Sequence, residues 1–266
     1  MARTENAPPS SDESDSIQRA ISRVGRRPAD SASQSEKKAY SERLSNALAP
    51  ALASELRKRG LAGTFPSDET AKGKKGSETR IAGGLGDKKV DVTYATAHAG
   101  LVLGISVKTI TTKDKKTGNF QKNLQNRKAD LIFEVTTLHK RFPYAVVGGI
   151  VFLPGAADVD NAQSKSRLST FTRAHQLLKI FNRRSGTRNE DEKFEYLAVG
   201  LFEEDPPSYR LFEAGDPKKI IDLNGFLSTL IEIVAERNPE DFIYQQSKLY
   251  KPRELRVLDE SSEEAE

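Results

Sequence analysis

The sequence predicts an α/β domain, a three-layer α/β/α sandwich with a central mixed β-sheet. Helical and strand-like patterns alternate along residues 37–250 in the order helix, strands, helix, strand, helix, strand, helix. Such an order calls for one sheet covered by helices on both faces. Hydrophobic residues make up 36% of the chain and charged residues 30%, and the polar excess lies at the two ends. The middle is therefore rich enough in apolar residues to bury a normal core.

The two ends of the chain differ from this middle part in composition. Residues 1–36 are mainly Ser, Asp, Glu, Arg, Ala and Pro, a composition that cannot repay the entropy of ordering. We expect a disordered arm there, with a short amphipathic helix over residues 16–24 as the alternative. Gly25 would end this helix, and nothing in the sequence requires it to dock on the domain. In residues 251–266 acids outnumber basic residues, which predicts an acidic disordered tail.

The first core helix is predicted for residues 37–59, with Gly60 at its C-terminal end and a kink at Pro50. Its apolar face consists of leucines spaced four apart, namely Leu44, Leu48, Leu52 and Leu56. Residues 63–76 then predict a flexible loop with a basic run that either contacts phosphates or is simply solvated, formed by Lys72, Lys74 and Lys75.

Residues 89–108 predict a β-hairpin that carries an acid and a lysine. Apolar and polar residues alternate in both strands, which are joined near residues 98–100. Asp91 lies on the polar side of the first strand, and Ser106 and Lys108 lie on the polar side of the second. Pairing of the two strands would bring these three side chains onto one surface.

A polar basic loop over residues 109–119 follows, and its lysines are Lys113, Lys115 and Lys116. A helix is predicted for residues 120–139. On this helix polar residues recur at offsets of four, three and four along one stripe, namely Asn123, Arg127, Asp130 and Glu134. Any surface helix has a polar stripe, so the alternative is an ordinary solvated face.

The remaining pattern completes the sheet and its helices. Residues 144–153 form a nearly continuous apolar run that is typical of a buried central strand. Further segments are a helix over 168–181, a basic turn over 183–188, a strand over 194–202, a short strand over 209–212 and a helix over 223–235.

Composition narrows the chemistry that such a domain could perform. The chain has no cysteine and only three histidines, so any metal must be held mainly by oxygen. The formal net charge of +4 is weak support for a nucleic-acid partner. Because the sequence contains neither a run of about 18 apolar residues nor an apolar secretory signal, we expect no membrane contact and a cytoplasmic location.

Asp91 on one strand, the triplet Ser106-Val107-Lys108 on the next, and the helix after it resemble the core of the PD-(D/E)xK nuclease superfamily. This superfamily includes many restriction endonucleases, and the resemblance covers roughly residues 76–203. Two positions depart from the motif, since Val90 replaces the proline and Ser106 replaces the acid of the triplet. Some restriction endonucleases with a Ser-x-Lys triplet take the missing carboxylate from the following helix, and Glu134 could supply it here.

The resemblance implies a restriction endonuclease-like fold and a metal-dependent DNA endonuclease that acts in restriction or anti-phage defence. The implied catalytic residues are Asp91, Ser106, Lys108 and Glu134. Asp91 and Glu134 would hold Mg²⁺, with Mn²⁺ as the alternative ion, and Lys108 would help to position and activate the attacking water. The accessory candidates are Glu78, preferred over Glu55 as an extra acid, together with Asn123 and Arg127.

The implied partner is double-stranded DNA. Its phosphates would be contacted by Arg127, by the basic turn over 183–188 and by the loop lysines Lys72, Lys74, Lys75, Lys113, Lys115 and Lys116. Cutting both strands with one site per chain would require a homodimer.

Two other classes of function remain open at the level of sequence. The first is a catalytically inactive DNA-binding protein with the nuclease fold, which Ser106 in place of an acid favours. The second is a partner subunit whose basic loops bind acidic groups of another protein.

Overall fold

The computed structural model describes residues 16–67, 79–161 and 168–252. In chain order the helices and strands are α1 (Ser16–Val24), α2 (Gln34–Lys58), β1 (Thr79–Gly83), β2 (Gly86–Val90), β3 (Val92–Thr96), β4 (Gly100–Thr109), α3 (Leu124–Arg141), β5 (Val146–Pro154), α4 (Thr170–Leu178), β6 (Tyr196–Glu204), β7 (Pro207–Glu213), β8 (Ile220–Ile221), α5 (Leu223–Arg237), β9 (Ile243–Gln245) and β10 (Lys248–Tyr250).

A mixed six-stranded sheet in the order β3-β4-β5-β6-β7-β8 forms the centre of the structure. Strands β4, β5 and β6 run parallel to one another, whereas β3, β7 and β8 pair antiparallel with their neighbours. Parallel neighbours need crossover connections, and α3 and α4 lie in the two crossovers. The prediction of a mixed α/β domain with a central mixed sheet is therefore confirmed.

Helices cover both faces of this sheet. In β5 the side chains alternate between two buried clusters, because successive residues of a strand point to opposite faces. Ile150 and Phe152 pack with residues of α1, α2 and α5, whereas Val151 and Leu153 pack with residues of α3 and α4. Every residue of β5 is buried, as its apolar run predicted.

Helix α2 has the predicted apolar face, and its four leucines at spacing four are fully buried. It begins with a capping box, in which the Ser33 hydroxyl accepts from the Glu36 N–H and the Glu36 carboxylate accepts from the Ser33 N–H. Pro50 lies inside the helix, which continues to Lys58. Gly60 follows with a φ of +96°, a conformation that favours glycine.

The expectation of a disordered arm does not hold for residues 16–36. Ile17, Ala20 and Ile21 of α1 are buried against the core, and the Gln18 amide donates to the Pro207 carbonyl oxygen at 2.8 Å. The reason is spacing, because apolar residues three and four apart form a helical stripe even within a polar segment. Residues 1–15 of the arm and 253–266 of the acidic tail lie outside the described residues.

The first strand of the predicted hairpin is divided at Asp91. Strand β2 ends at Val90 and pairs with β1, whereas β3 begins at Val92 and pairs with β4. The turn between β3 and β4 covers residues 97–99, where the sequence placed it. Asp91 thus lies at a junction between two sheets rather than inside one strand.

The β1–β2 hairpin lies on α3. The Gly84 N–H donates to the Thr137 carbonyl oxygen at 2.9 Å. A Cβ atom at Gly83 would come within 2.3 Å of the Thr137 side chain, so only glycine allows this close approach. Within the three described ranges, no helix combines the length and the apolar character needed to cross a membrane.

Candidate active site

Asp91 is held at the junction of β2 and β3 by the neighbouring strand. Its Oδ2 accepts a hydrogen bond from the backbone N–H of Val107 at 2.7 Å and lies 3.8 Å from the Nζ of Lys108. The carboxylate therefore faces the middle of the Ser106-Val107-Lys108 triplet. Sequence reasoning missed the bond from Val107, because a backbone donor leaves no signal in residue types.

The triplet on β4 directs its two polar side chains toward α3. Val107 belongs to the core cluster with α2 and α5, so alternation places Ser106 and Lys108 on the opposite face. Ser106 is completely buried there, and the Lys108 side chain is 16% exposed.

Glu134 on α3 completes the group. Its Oε1 accepts a hydrogen bond from the Ser106 hydroxyl, and its Oε2 accepts one from the Lys108 ammonium at 2.9 Å. The side chain is 6% exposed, so Glu134 belongs to the buried part of the polar stripe rather than to a solvated face. Sequence reasoning named Ser106 only as one of the implied catalytic residues, so its direct bond to Glu134 is a new finding.

The predicted convergence of Asp91, Lys108 and Glu134 is confirmed by these contacts. The Nζ of Lys108 lies 3.8 Å from an oxygen of Asp91 and 2.9 Å from one of Glu134, so these two oxygens are at most about 7 Å apart. Two oxygens that bind one ion at about 2.1 Å per bond lie at most about 4.2 Å apart, so the two carboxylates are near enough to share an ion after a small movement of their side chains.

The charge on Lys108 is set by its two acidic neighbours. Burial alone would lower the pKa of this lysine, but Glu134 and then Asp91 outweigh burial and raise the pKa above its usual value. The nearby positive charge of Arg127 acts in the opposite direction and is smaller. Lys108 is therefore a charged hydrogen-bond donor at neutral pH.

The oxygen atoms of this group are of the chemical type that binds a small hard cation. Mg²⁺ usually keeps several water ligands and is bound by only one or two carboxylates. Asp91 and Glu134 supply two carboxylates, and Ser106 supplies a neutral oxygen. In the part of the chain that the structure describes, no group of three or more His, Cys, Asp or Glu side chains is placed to hold a metal. Water and substrate oxygens would therefore have to complete the shell.

The accessory candidates Arg127, Asn123 and Glu55 do not belong to the group formed by Asp91, Ser106, Lys108 and Glu134. Arg127 is near enough to influence Lys108 and is half exposed, with its guanidinium 3.0 Å from Asp130, so it lies at the rim of the group. Asn123 instead lines a pocket of about 400 Å³ with residues of the basic loop. The carboxylate of Glu55 pairs with Lys58 and Arg59.

The preferred extra acid, Glu78, lies outside the described residues, as do three of the predicted DNA-binding lysines, Lys72, Lys74 and Lys75. In the loop after β4, Lys115 and Lys116 are exposed. Lys113 lies 3.4 Å from the carboxylate of Asp30 and packs over the ring of Phe120, so it joins the loop to the segment between α1 and α2.

Within the basic turn over 183–188, Arg183 and Arg184 are engaged by acids of the domain, whereas Arg188 is exposed. Arg183 makes two hydrogen bonds to Glu213, both at 2.8 Å, and its guanidinium stacks on the ring of Tyr196. The side chain of Arg184 is fully buried and pairs with Asp191 and Glu195. Both arginines therefore hold parts of the domain together, because the turn lies over acids that the sequence pattern did not place there.

Comparisons with known proteins found no matching family model, no matching curated protein and no matching solved structure. The geometry of the group formed by Asp91, Ser106, Lys108 and Glu134 therefore carries the functional argument.

Proposed function

We propose that this chain is a Mg²⁺-dependent DNA endonuclease with a restriction endonuclease-like core. The observation that carries the proposal is the position of the Lys108 ammonium between the carboxylates of Asp91 and Glu134. These three residues come from a strand junction, a central strand and the following helix, which is the distribution that the resemblance to PD-(D/E)xK nucleases implies. A role in restriction or anti-phage defence is part of the same proposal.

The residues have chemically distinct roles in phosphodiester hydrolysis. Asp91 and Glu134 would hold the ion, with Mn²⁺ able to replace Mg²⁺. When bound, the ion neutralises charge on the scissile phosphate and lowers the pKa of a coordinated water. Lys108 is a charged donor beside both carboxylates, so it would orient the attacking water and stabilise negative charge rather than remove a proton.

Two features of the surroundings suit double-stranded DNA as the substrate. Arg127 lies at the rim of the group, and its planar guanidinium can hold a phosphate through two hydrogen bonds. The exposed Lys115 and Lys116 add sequence-independent attraction to the phosphate backbone. Cleavage of both strands by a single site per chain would require two copies of the chain, so a homodimer belongs to the proposal.

One observation favours a second candidate, a catalytically inactive nuclease-fold protein that binds DNA or acts as a partner subunit. Both oxygens of Glu134 are already engaged, one by Ser106 and the other by Lys108. An ion would have to compete with these hydrogen bonds. If it cannot, the group is an internal structural network and the chain retains only its basic surface.

Incubation of the purified chain with supercoiled plasmid separates the two candidates. The endonuclease should convert the plasmid to nicked or linear DNA with Mg²⁺ or Mn²⁺ and leave it intact with a chelator. Lys108→Ala serves as the matched control for a contaminating nuclease and should leave the plasmid intact with both metals. Retarded migration of uncut plasmid under all conditions would instead identify the inactive DNA-binding candidate.

A further inference from the structure

A lysine and an exposed aromatic residue lie on the two elements that carry the carboxylates of the candidate active site. The Nζ of Lys88 on β2 lies 3.7 Å from the centre of the Phe133 ring on α3. Phe133 is 46% exposed, although it precedes the buried Glu134 in the helix. Lys88 lies three residues before Asp91. The pair therefore joins the two elements that supply the two carboxylates.

Two contacts fix the position of Lys88, one made by the backbone of its hairpin and one made by its own side chain. The β1–β2 hairpin is attached to α3 by the bond from the Gly84 N–H to the Thr137 oxygen, and two glycines allow its close approach. The ring of Phe133 then attracts the ammonium through its negative face. Such a contact lowers the entropy that a long lysine side chain must lose when it binds a ligand.

We propose that Lys88 is a phosphate-binding residue that contacts the DNA backbone next to the scissile phosphate, and that Phe133 is its positioning residue. An ammonium group has three donors, and contact with an aromatic face leaves N–H groups available to phosphate oxygens. Phe133 is 46% exposed and Lys88 is only partly buried, so the ammonium is accessible to a DNA backbone that lies across the site. This inference rests on the proposed function, since it assumes that Asp91 and Glu134 face DNA.

The salt dependence of DNA binding tests the role of Lys88 independently of cleavage. Binding of the full chain to a fluorescent duplex is measured by anisotropy in a chelator for the wild type, Lys88→Ala, Lys88→Gln and Lys218→Ala. Lys218 is exposed in the turn before β8, at the far edge of the sheet from β3, and gives a matched loss of one charge.

Each phosphate contact contributes about 0.9 to the slope of log K against log salt. Both Lys88 variants should show a slope shallower by about 0.9, so their loss of affinity between about 50 and about 200 mM salt is about 3- to 4-fold smaller than that of the wild type. Lys218→Ala should keep the wild-type slope. Circular dichroism confirms that the variants are folded.

The variant Phe133→Leu tests the positioning effect of the ring separately from the charge of Lys88. It keeps Lys88, so the salt slope should stay at the wild-type value while the affinity falls. Replacement of single phosphates by uncharged methylphosphonates gives a second measurement. At one position of the duplex, a methylphosphonate should weaken DNA binding by the wild type and leave DNA binding by Lys88→Ala unchanged.

The possible failures are distinguishable. A wild-type salt slope in both Lys88 variants overturns this inference and leaves the endonuclease proposal standing. A shallower slope in a protein that never cleaves DNA overturns the endonuclease and retains Lys88 as a phosphate contact. A wild-type chain that neither binds the duplex nor cuts the plasmid with Mg²⁺ overturns both.

Discussion

At the scale of single residues, the serine at position 106 and the glutamate at position 134 depend on each other. The hydroxyl of Ser106 donates to one oxygen of Glu134, and the ammonium of Lys108 donates to the other. A carboxylate at position 106 would instead place two negative charges together at a completely buried position. The neutral side chain on the strand is therefore what allows the acid to come from the helix.

Replacement of the three charged residues tests whether they perform chemistry. Asp91→Ala, Lys108→Ala and Glu134→Ala should each lower the rate of Mg²⁺-dependent cleavage at least about 100-fold, because each removes a group that acts on the developing charge. Ser106→Ala should lower it only about 10-fold, since a hydrogen bond to a charged group contributes about 1.5 kcal/mol. Single-turnover cleavage gives the rates, and anisotropy should show that DNA binding is largely retained. Full activity of Glu134→Ala would show that the acid comes from elsewhere, and Glu78→Ala would then be tested.

An exchange of the acid between strand and helix gives a second prediction. Ser106→Glu alone should be inactive and destabilised, because the new carboxylate faces Glu134. Ser106→Glu combined with Glu134→Ala should recover part of the activity and stability, since one carboxylate again lies within reach of Lys108. Cleavage rates and urea denaturation of both variants decide the outcome. A double variant that is no better than either single variant would count against a migrated acid.

At the scale of elements, α1 belongs to the domain although its sequence is mostly polar. Ile17 and Ile21 are almost fully buried against the cluster that also contains α2 and α5. The N-terminal segment therefore closes one face of the sheet, where α1 packs over β6 and β7. A chain that lacked α1 would expose the apolar groups beneath it.

Truncation of one α1 side chain measures this contribution. Ile21→Ala should lower the free energy of unfolding by about 2–5 kcal/mol, the usual cost of removing a large buried aliphatic group. Ser22→Ala, at the next and exposed position, is the control and should change stability by less than about 0.5 kcal/mol. Urea denaturation at neutral pH gives both values. Equal stability of the two variants would show that α1 does not pack on the domain in solution.

The elements that follow a simple period could be predicted from the sequence, and those that depend on distant contacts could not. The leucines of α2 and the apolar run of β5 have strong periodic signals, and both elements lie where predicted. The break at Asp91 has no such signal, because residues 89–94 alternate without interruption. What divides them is the pairing of β2 with β1 and the hydrogen bond from Val107, which are tertiary contacts.

In the candidate site, too, the periodic features could be predicted from the sequence and the tertiary contacts could not. Strand alternation placed Asp91, Ser106 and Lys108 on one surface, and the resemblance to PD-(D/E)xK nucleases added Glu134 to them. The Lys88–Phe133 pair was not foreseen, because it depends on how the β1–β2 hairpin lies on α3. The only available signal was an aromatic residue on the polar side of the helix, next to Glu134.

At the scale of the whole molecule, a buried ionic network joins elements that are distant in sequence. Glu195, just before β6, contacts His139 of α3, Arg184 of the turn after α4 and Arg237 of α5, and its Oε2 accepts from the Val147 N–H of β5 at 2.7 Å. The side chain of Glu195 is fully buried. Burial alone would raise its pKa, but His139, Arg237 and the Val147 N–H together hold the pKa below its usual value.

The last prediction concerns acid stability, which this network should control. A carboxyl group with a lowered pKa in the folded state stabilises the fold above its unfolded pKa of about 4.5, and this contribution is lost as the pH falls through the lower folded value. Glu195→Gln removes the negative charge that pairs with the buried Arg184 and the nearly buried Arg237. At neutral pH this change should therefore lower the free energy of unfolding by about 3–5 kcal/mol.

The pH dependence separates this role from a general defect in packing. Below pH 4.5 the wild type progressively loses the stability that Glu195 provides, so the difference between it and Glu195→Gln should become smaller. Glu192→Gln, at an exposed position nearby, should follow the wild type over the whole range. Urea denaturation at several pH values between about 3 and 7 gives the three curves. A difference between wild type and Glu195→Gln that stays constant on acidification would mean that Glu195 stabilises the fold by its shape and hydrogen bonds rather than by its charge.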